Sequence, residues 1–246
     1  MSARKATTRG PARSRRPTRR AVALPTADVA RDFSRRLRHW FRRHGRDLPW
    51  RRTRDPYRIL VSELMLQQTQ VSRVVDFYHR FLERFPTLHH LAESPPGHVL
   101  EAWAGLGYYN RARNLHALAR TVTREGDGRL PADAEALRAL PGVGAYTAGA
   151  VSSFAFERRA GLVDTNVARV LARVFAPRLD PRRPRDRSEL WRIADAVLPA
   201  RGDVAWTHNQ AIMELGALVC TARVRHCGRC PVARHCATRR RELAAD

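Results

Sequence analysis

Between residues 28 and 43 the apolar side chains fall at Val29, Phe33, Leu37, Trp40 and Phe41, three or four apart, as on one face of an α-helix. The same period recurs along most of the chain. It predicts a helix from Pro56 through Leu66 and another that carries Val74, Tyr78, Phe81, Leu82 and Phe85 and stops at Pro86. Short helical pieces are expected near 87–93 and 97–103, then a longer helix over Ala112, Leu115, Leu118 and Val122. A short helix precedes Leu140, a small-residue helix follows it, and further helices are expected to about 174, near 187–198 and near 206–219. Gly105-Leu106-Gly107, Gly126 to Pro131 and the Arg-rich segment Pro177 to Pro184 read as breaks. Period-two alternation is almost absent, so the expected fold class is all-α. The helices of 57–175 would form one lobe. Residues 26–56 and 176–219 would form a second, discontinuous lobe, leaving 220–246 as a cysteine-bearing loop with a short tail.

The segment LPGVGAYTAGA begins with a Pro-Gly-x-Gly turn that leads into a helix. Gly142 and Gly144 can take positive φ and, with Val143, bring bare backbone close to a ligand. Amides at a helix start favour an anion such as a phosphate. Asp164 stands at the mouth of the next helix. A phosphate grip beside a carboxylate points to chemistry on nucleic acid.

Charge supports that reading. The chain has 246 residues, with 46 basic and 23 acidic side chains, a formal net charge of +23 and a pI near 11.6. Lysine occurs once, at Lys5. Codon bias explains arginine in place of lysine, but not twice as many bases as acids, so a polyanionic partner is expected. Residues 1–20 hold eight of the bases and no acid, in a Ser-, Thr-, Pro- and Ala-rich context. Residues 1–25 therefore read as a disordered basic tail. Ala21 to Leu24 is too short for the apolar core of a secretory signal, and no run approaches a membrane span. The expected location is the cytoplasm, in association with the nucleoid.

All four cysteines lie in Cys220-x6-Cys227-x2-Cys230-x5-Cys236. Four gathered thiolates suit an iron–sulfur cluster or a zinc ion. The single short Cys-x2-Cys pair favours a cluster, and spacing alone leaves both open. Arg223, Arg225, Arg229 and Arg234 crowd the same loop and would let it rest on phosphates. His226 and His235 read as surface residues, because four cysteines already complete a site.

These motifs together carry a family resemblance. LPGVGAYTAGA resembles the helix-hairpin-helix of the DNA glycosylase superfamily that includes endonuclease III. The cysteine spacing is similar to that superfamily's four-cysteine loop, which implies a 4Fe–4S cluster on Cys220, Cys227, Cys230 and Cys236. SELMLQQTQV at 62–71, WAGLGYYNRARNL at 103–115, VDTNVARVLAR at 163–173 and NQAIMELGALVC at 209–220 resemble the adenine glycosylase (MutY) family over roughly residues 30–238. The resemblance implies a two-lobed glycosylase fold and a monomeric enzyme acting on double-stranded DNA at A:8-oxoguanine or A:G mismatches. It places Glu63 on the catalytic acid and Asp164 on the essential aspartate, with Tyr146 and Asn166 supporting them. Gln67 and Tyr108 fall on residues that enter the helix at the lesion, and Arg46 and Glu214 on residues near the extruded adenine; Gln68, amide-tipped beside Gln67, is a further candidate wedge by its residue type. Tyr109 reads as core. Members of the family carry a further Nudix-like domain beyond the cysteine loop, which is expected to be missing here; the discrimination of 8-oxoguanine from guanine is then weakened.

The chemistry fits these residue types. Cleaving a purine N-glycosidic bond needs a protonated leaving base and a stabilised oxocarbenium-like sugar. A lone glutamate in an apolar helix is ordinarily a boundary residue, and it is the matched motif that makes Glu63 a candidate acid. Val61, Leu64, Met65 and Leu66 around it would raise its pKa by desolvation. Asp164, among polar neighbours, is expected to keep an ordinary carboxylate pKa and to cap its helix. The superfamily's lyases carry lysine where this chain has Tyr146, and only Lys5 and the N-terminal amine, both in the tail, offer an amine, so a monofunctional glycosylase is expected. Two other readings stand beside it: a thymine or uracil mismatch glycosylase, and a non-catalytic iron–sulfur DNA-binding protein.

Overall fold

The computed structural model describes residues 22–245; the basic tail expected at 1–25 lies almost wholly outside them. Twelve α-helices are present among the described residues, and the one β-type pairing is an isolated bridge between Cys220 and Arg225.

Helix α1 (Ala27–His44) is capped by Thr26, carries Asp28 in its first turn and ends in Arg42, Arg43 and His44, which complements its dipole at both ends. Its apolar stripe buries Phe33, Leu37 and Trp40. A 3₁₀ turn, Pro49–Arg51, leads to α2 (Pro56–Leu66), which has proline at its first position and Asp55 accepting from the Tyr57 and Arg58 amides. Every residue of α2 from Ile59 to Met65 is buried, so this helix runs through the middle of its lobe. Around it stand α3 (Val71–Arg84), α4 (Leu88–Glu93), α5 (Pro96–Ala102), α6 (Asn110–Glu125), α7 (Ala134–Arg138) and α8 (Ala145–Phe156). Helix α2 packs on α3, α6 and α8, and α7 closes over α8. Gly149 of α8 lies so near Gly161 that a Cβ would come within 2.1 Å of the Gly161 carbonyl. The small residues of the hairpin helix thus serve packing.

The second lobe contains α1, α9 (Thr165–Phe175), α10 (Pro184–Val197) and α11 (Gly202–Leu218), with α12 (Ala237–Leu243) resting on α9. Here the lobe division read from the sequence changes. Helix α9 was expected to belong with 57–175, yet it packs on α10, α11 and α12. Its apolar face, with Val167, Val170, Leu171 and Val174, is buried in that company. The division therefore falls between α8 and α9, and Asp164 sits on the seam. Helix α12 and the 3₁₀ turns at Pro49–Arg51, Cys227–Arg229 and Ala233–His235 are too short to leave a periodic signal.

Candidate active site

The seam opens into a cleft of about 730 Å³ whose walls come from both lobes. From α2 comes Glu63, 3% exposed, inside an otherwise apolar helix. The Tyr146 hydroxyl, from the first turn of α8, donates to Glu63 Oε2 at 2.8 Å. Burial pushes the Glu63 carboxyl up to about 7; the Tyr146 hydrogen bond and Arg51 oppose that shift, and the charge of Asp164 reinforces it. Burial also holds the Tyr146 phenol well above its usual range, so its proton stays in place as a donor.

Asp164 caps α9: its Oδ1 accepts from the Val167 amide at 2.6 Å and its Oδ2 from Asn166 Nδ2 at 3.0 Å. The expected ordinary pKa does not hold, because burial raises this carboxyl despite those donors and Arg169. Asn166 in turn accepts from Arg169 Nη2 at 2.7 Å, and Arg169 also donates to the carbonyls of Gly216 and Cys220. Gly216 is bare because a Cβ there would meet the Asn166 Cβ at 2.7 Å. The sequence reading missed Arg169, which connects the aspartate to the cysteine loop.

Arg46 and Glu214, 168 residues apart, form a bidentate pair at the cleft wall, with Arg46 Nε to Oε1 at 2.8 Å and Nη2 to Oε2 at 2.9 Å. Arg51, also missed, donates to Glu214 Oε2 at 2.9 Å and to Gln210 Oε1 at 2.8 Å. Burial alone would raise the Glu214 carboxyl, but the two guanidiniums outweigh it and hold it at about 2. Held low by its two guanidiniums, this carboxylate is charged near neutral pH, which separates its part from that of Glu63.

The hairpin turn places Gly142 at φ 73°, where a Cβ would press on Asn114, but Gly144 is extended at φ −87° and ψ 173°. Of the two glycines, only Gly142 uses the positive φ open to both. Gly144 earns its place as the N-cap of α8 with no side chain over the helix start, leaving the first-turn amides open to an anion. The Val143 side chain is buried and its amide is committed to the Leu140 carbonyl at 3.2 Å, so it offers no free donor.

In a hollow that shares Gln67 and Gln68 with the cleft, Gln68 and Tyr108 both adopt left-handed backbone, at φ 57° and 48°. Gln67 instead turns inward and donates to Thr147 Oγ1 at 3.4 Å. Tyr108 is 58% exposed and Tyr109 40%, so Tyr109 is not the core residue its aromatic character suggested. Arg111, buried beneath them, donates to the carbonyls of Leu64, Met65 and Gln67 and to those of Leu106 and Gly107. One guanidinium thereby fastens both exposed tips to the end of α2.

The four cysteines are free thiols around a single hollow walled by Val170, Val174, Leu215, Val219 and Val232. Among the described residues no group of three or more His, Cys, Asp or Glu side chains is placed to hold a metal ion. All four cysteines line this one hollow, and four thiolates are a donor set that suits an iron–sulfur cluster or a zinc ion. Arg173 donates to Cys220 Sγ at 3.3 Å and would offset negative charge there. His226 is exposed as expected, but His235 is not a free surface residue: its Nε2 lies 2.8 Å from Asp32 Oδ2 and ties the loop to α1.

The profile of the HhH-GPD superfamily of base excision DNA repair proteins matches residues 61–195. Adenine DNA glycosylase of Homo sapiens is 46% identical over 220 residues, 85% of this chain and 40% of that protein. The protein of the same name from Mycolicibacterium smegmatis is 46% identical over 201 residues, 81% of this chain and 67% of that protein. The chain thus spans 40–43% of the mammalian relatives' length. Among solved structures, a thermostable thymine-DNA glycosylase superposes with a TM-score of 0.80 at 30% identity, covering 88% of this chain and 99% of that one. A trapped endonuclease III–DNA covalent intermediate superposes with a TM-score of 0.74 at 25% identity, covering 89% and 100%.

Proposed function

The chain belongs to the HhH-GPD superfamily of base excision DNA repair proteins, and from that premise we propose that it is a monofunctional adenine DNA glycosylase. Its substrate would be double-stranded DNA in which adenine is mispaired with 8-oxoguanine or guanine. The observation that carries this reading is Glu63: a buried carboxyl held near neutrality, in contact with Tyr146, in one cleft with Asp164.

The adenine leaves the base stack and enters the cleft. Glu63 gives its proton to adenine N7, the C1′–N9 bond breaks, and its electron pair stays with the departing base. Asp164 faces the electron-poor sugar and stabilises its positive charge. Glu63, now a carboxylate, takes a proton from water as the hydroxide adds to C1′, so the products are free adenine and an abasic site. Tyr146 holds Glu63 in place and Asn166 orients Asp164. Gly142 and Gly144 grip the backbone, while Gln68 and Tyr108 occupy the space the base vacates, braced by Arg111. The Arg46–Glu214 pair borders the adenine. Cys220, Cys227, Cys230 and Cys236 would hold a 4Fe–4S cluster, which when bound cross-links the basic loop and keeps it folded.

The solved thymine-DNA glycosylase at 30% identity supports a second reading, excision of mispaired thymine or uracil. Glu63 weighs against it, because a pyrimidine has no N7 to protonate. Single-turnover reactions on A:8-oxoguanine, A:G, T:G and U:G duplexes decide between them by the base released. Adenine release supports the proposal, thymine or uracil release alone supports the second reading, and binding without release leaves only a DNA-binding role. Iron and acid-labile sulfide in equal amounts, without zinc, are expected in the purified protein.

A further inference from the structure

Arg187, in the first turns of α10, was singled out by no motif, yet it lines the same cleft as Glu63 and Asp164. Three carboxylates and three guanidiniums line that cleft: Glu63, Asp164 and Glu214 against Arg46, Arg51 and Arg187. Glu214 takes both Arg46 and Arg51. Arg187 is exposed and has no carboxylate within ion-pair distance among the described residues. Its hydrogen bond is to the Val163 carbonyl, from Nη2 at 3.3 Å. The cleft therefore carries one guanidinium that no carboxylate on its walls pairs with.

We propose that Arg187 binds a phosphodiester of the DNA strand that carries the extruded nucleotide, on the sugar that faces Asp164. The inference rests on the glycosylase reading above. Val163 immediately precedes Asp164, so its carbonyl holds the guanidinium at the edge of the aspartate's own wall. A sugar presented to Asp164 is bonded through its 3′ and 5′ oxygens to two phosphates, and a cation bordering that carboxylate is placed to meet one of them. The open amides at the start of α8 mark another rim of the cleft for the strand, and Arg187 lies on the α10 side. A planar guanidinium suits two phosphate oxygens at once, and one already held by a carbonyl loses less freedom on binding. Arg187 is a binding residue in this account: it fixes where the sugar sits and takes no part in proton transfer.

The test uses the full-length protein and duplexes in which a 2′-fluoro nucleotide makes the target adenosine uncleavable. The phosphate on its 5′ or 3′ side is replaced, one at a time, by a neutral methylphosphonate. At one of the two positions the wild type is expected to lose about tenfold in affinity. Arg187→Gln should lose a similar factor on the charged duplex and nothing more at that position. Its slope of log K against log salt should fall by about one, and Arg187→Lys should restore part of the loss. Full additivity of the two changes at both positions, or wild-type affinity in Arg187→Gln, overturns the proposal. Adenine release from unmodified A:8-oxoguanine duplex by the wild type is measured alongside. No release with coupling intact refutes the glycosylase reading and leaves the phosphate contact standing; release without coupling refutes the contact alone.

Discussion

The Tyr146 hydroxyl donates to Glu63 Oε2 at 2.8 Å across 83 residues of sequence, and so joins the hairpin helix to the central helix of the same lobe at the base of the cleft. Burial would otherwise leave the carboxyl with no hydrogen-bond partner, and a phenol that keeps its proton supplies one without adding charge.

The position of Glu63 has a cost in stability with a defined pH dependence. Its carboxyl goes from an ordinary value of 4.5 to about 7 on folding. Between those values the folded protein keeps a proton that the unfolded chain releases, so stability is full below 4.5 and declines as pH rises toward and through 7, by about 3 kcal/mol. Glu63→Gln cannot ionise and escapes that decline. Its melting temperature should exceed the wild type's at pH 8 and match it more closely at pH 5. Parallel curves across that range would show that the carboxyl is not shifted.

His208 works in the opposite direction. It is 2% exposed, and its ring nitrogen Nδ1 is 3.0 Å from Ser34 Oγ. Burial pushes it down from 6.5 to about 3. The unfolded chain takes up a proton below 6.5 that the folded protein refuses, so stability is full above 6.5 and falls as pH drops toward 3. At pH 5 the loss amounts to about 2 kcal/mol. His208→Asn should flatten the acid limb of a denaturant titration, and an unchanged limb would place the titrating group elsewhere.

Asp164→Asn separates capping from catalysis. Asparagine caps a helix about as well as aspartate, so the melting temperature should change little. The negative charge facing the sugar is lost, and single-turnover excision should fall by about 10²–10³-fold. A loss of activity matched by a comparable loss of stability would make Asp164 a structural residue alone.

The reaction should stop at the abasic site. Lys5 is the only lysine, and among the described residues no side-chain amine lines the cleft, so borohydride should trap no protein–DNA adduct beyond background. Tyr146→Lys places an amine beside Glu63 and should make trapping detectable. Efficient trapping and strand cleavage by the wild type would contradict the proposed monofunctional reaction.

Most helices were legible in the sequence because their apolar periodicity is strong, as in α1, α3 and α9. The partner of a helix is not encoded in its own period, which is why α9 was assigned to the wrong lobe. The raised pKa of Asp164 comes from its burial in the folded protein, and its polar sequence neighbours give no sign of that burial. Arg51, Arg111, Arg169 and Arg187 could not be told from the many other arginines, since each is distinguished by acceptors distant in sequence or by the lack of a carboxylate. Tyr109 was misread because an aromatic beside a glycine break is as compatible with a solvent-facing turn as with a core.

The central claim is that Glu63 is the proton donor to adenine, and single-turnover adenine release from an A:8-oxoguanine duplex by wild type and Glu63→Gln tests it most directly. Glutamine keeps the size and the Tyr146 contact but cannot donate an acidic proton, so a loss of about 10²–10⁴-fold is predicted with DNA affinity retained. In the wild type the rate should also decline as pH rises above about 7, as the carboxyl loses its proton. Adenine release by Glu63→Gln at a rate near the wild type's would contradict the account.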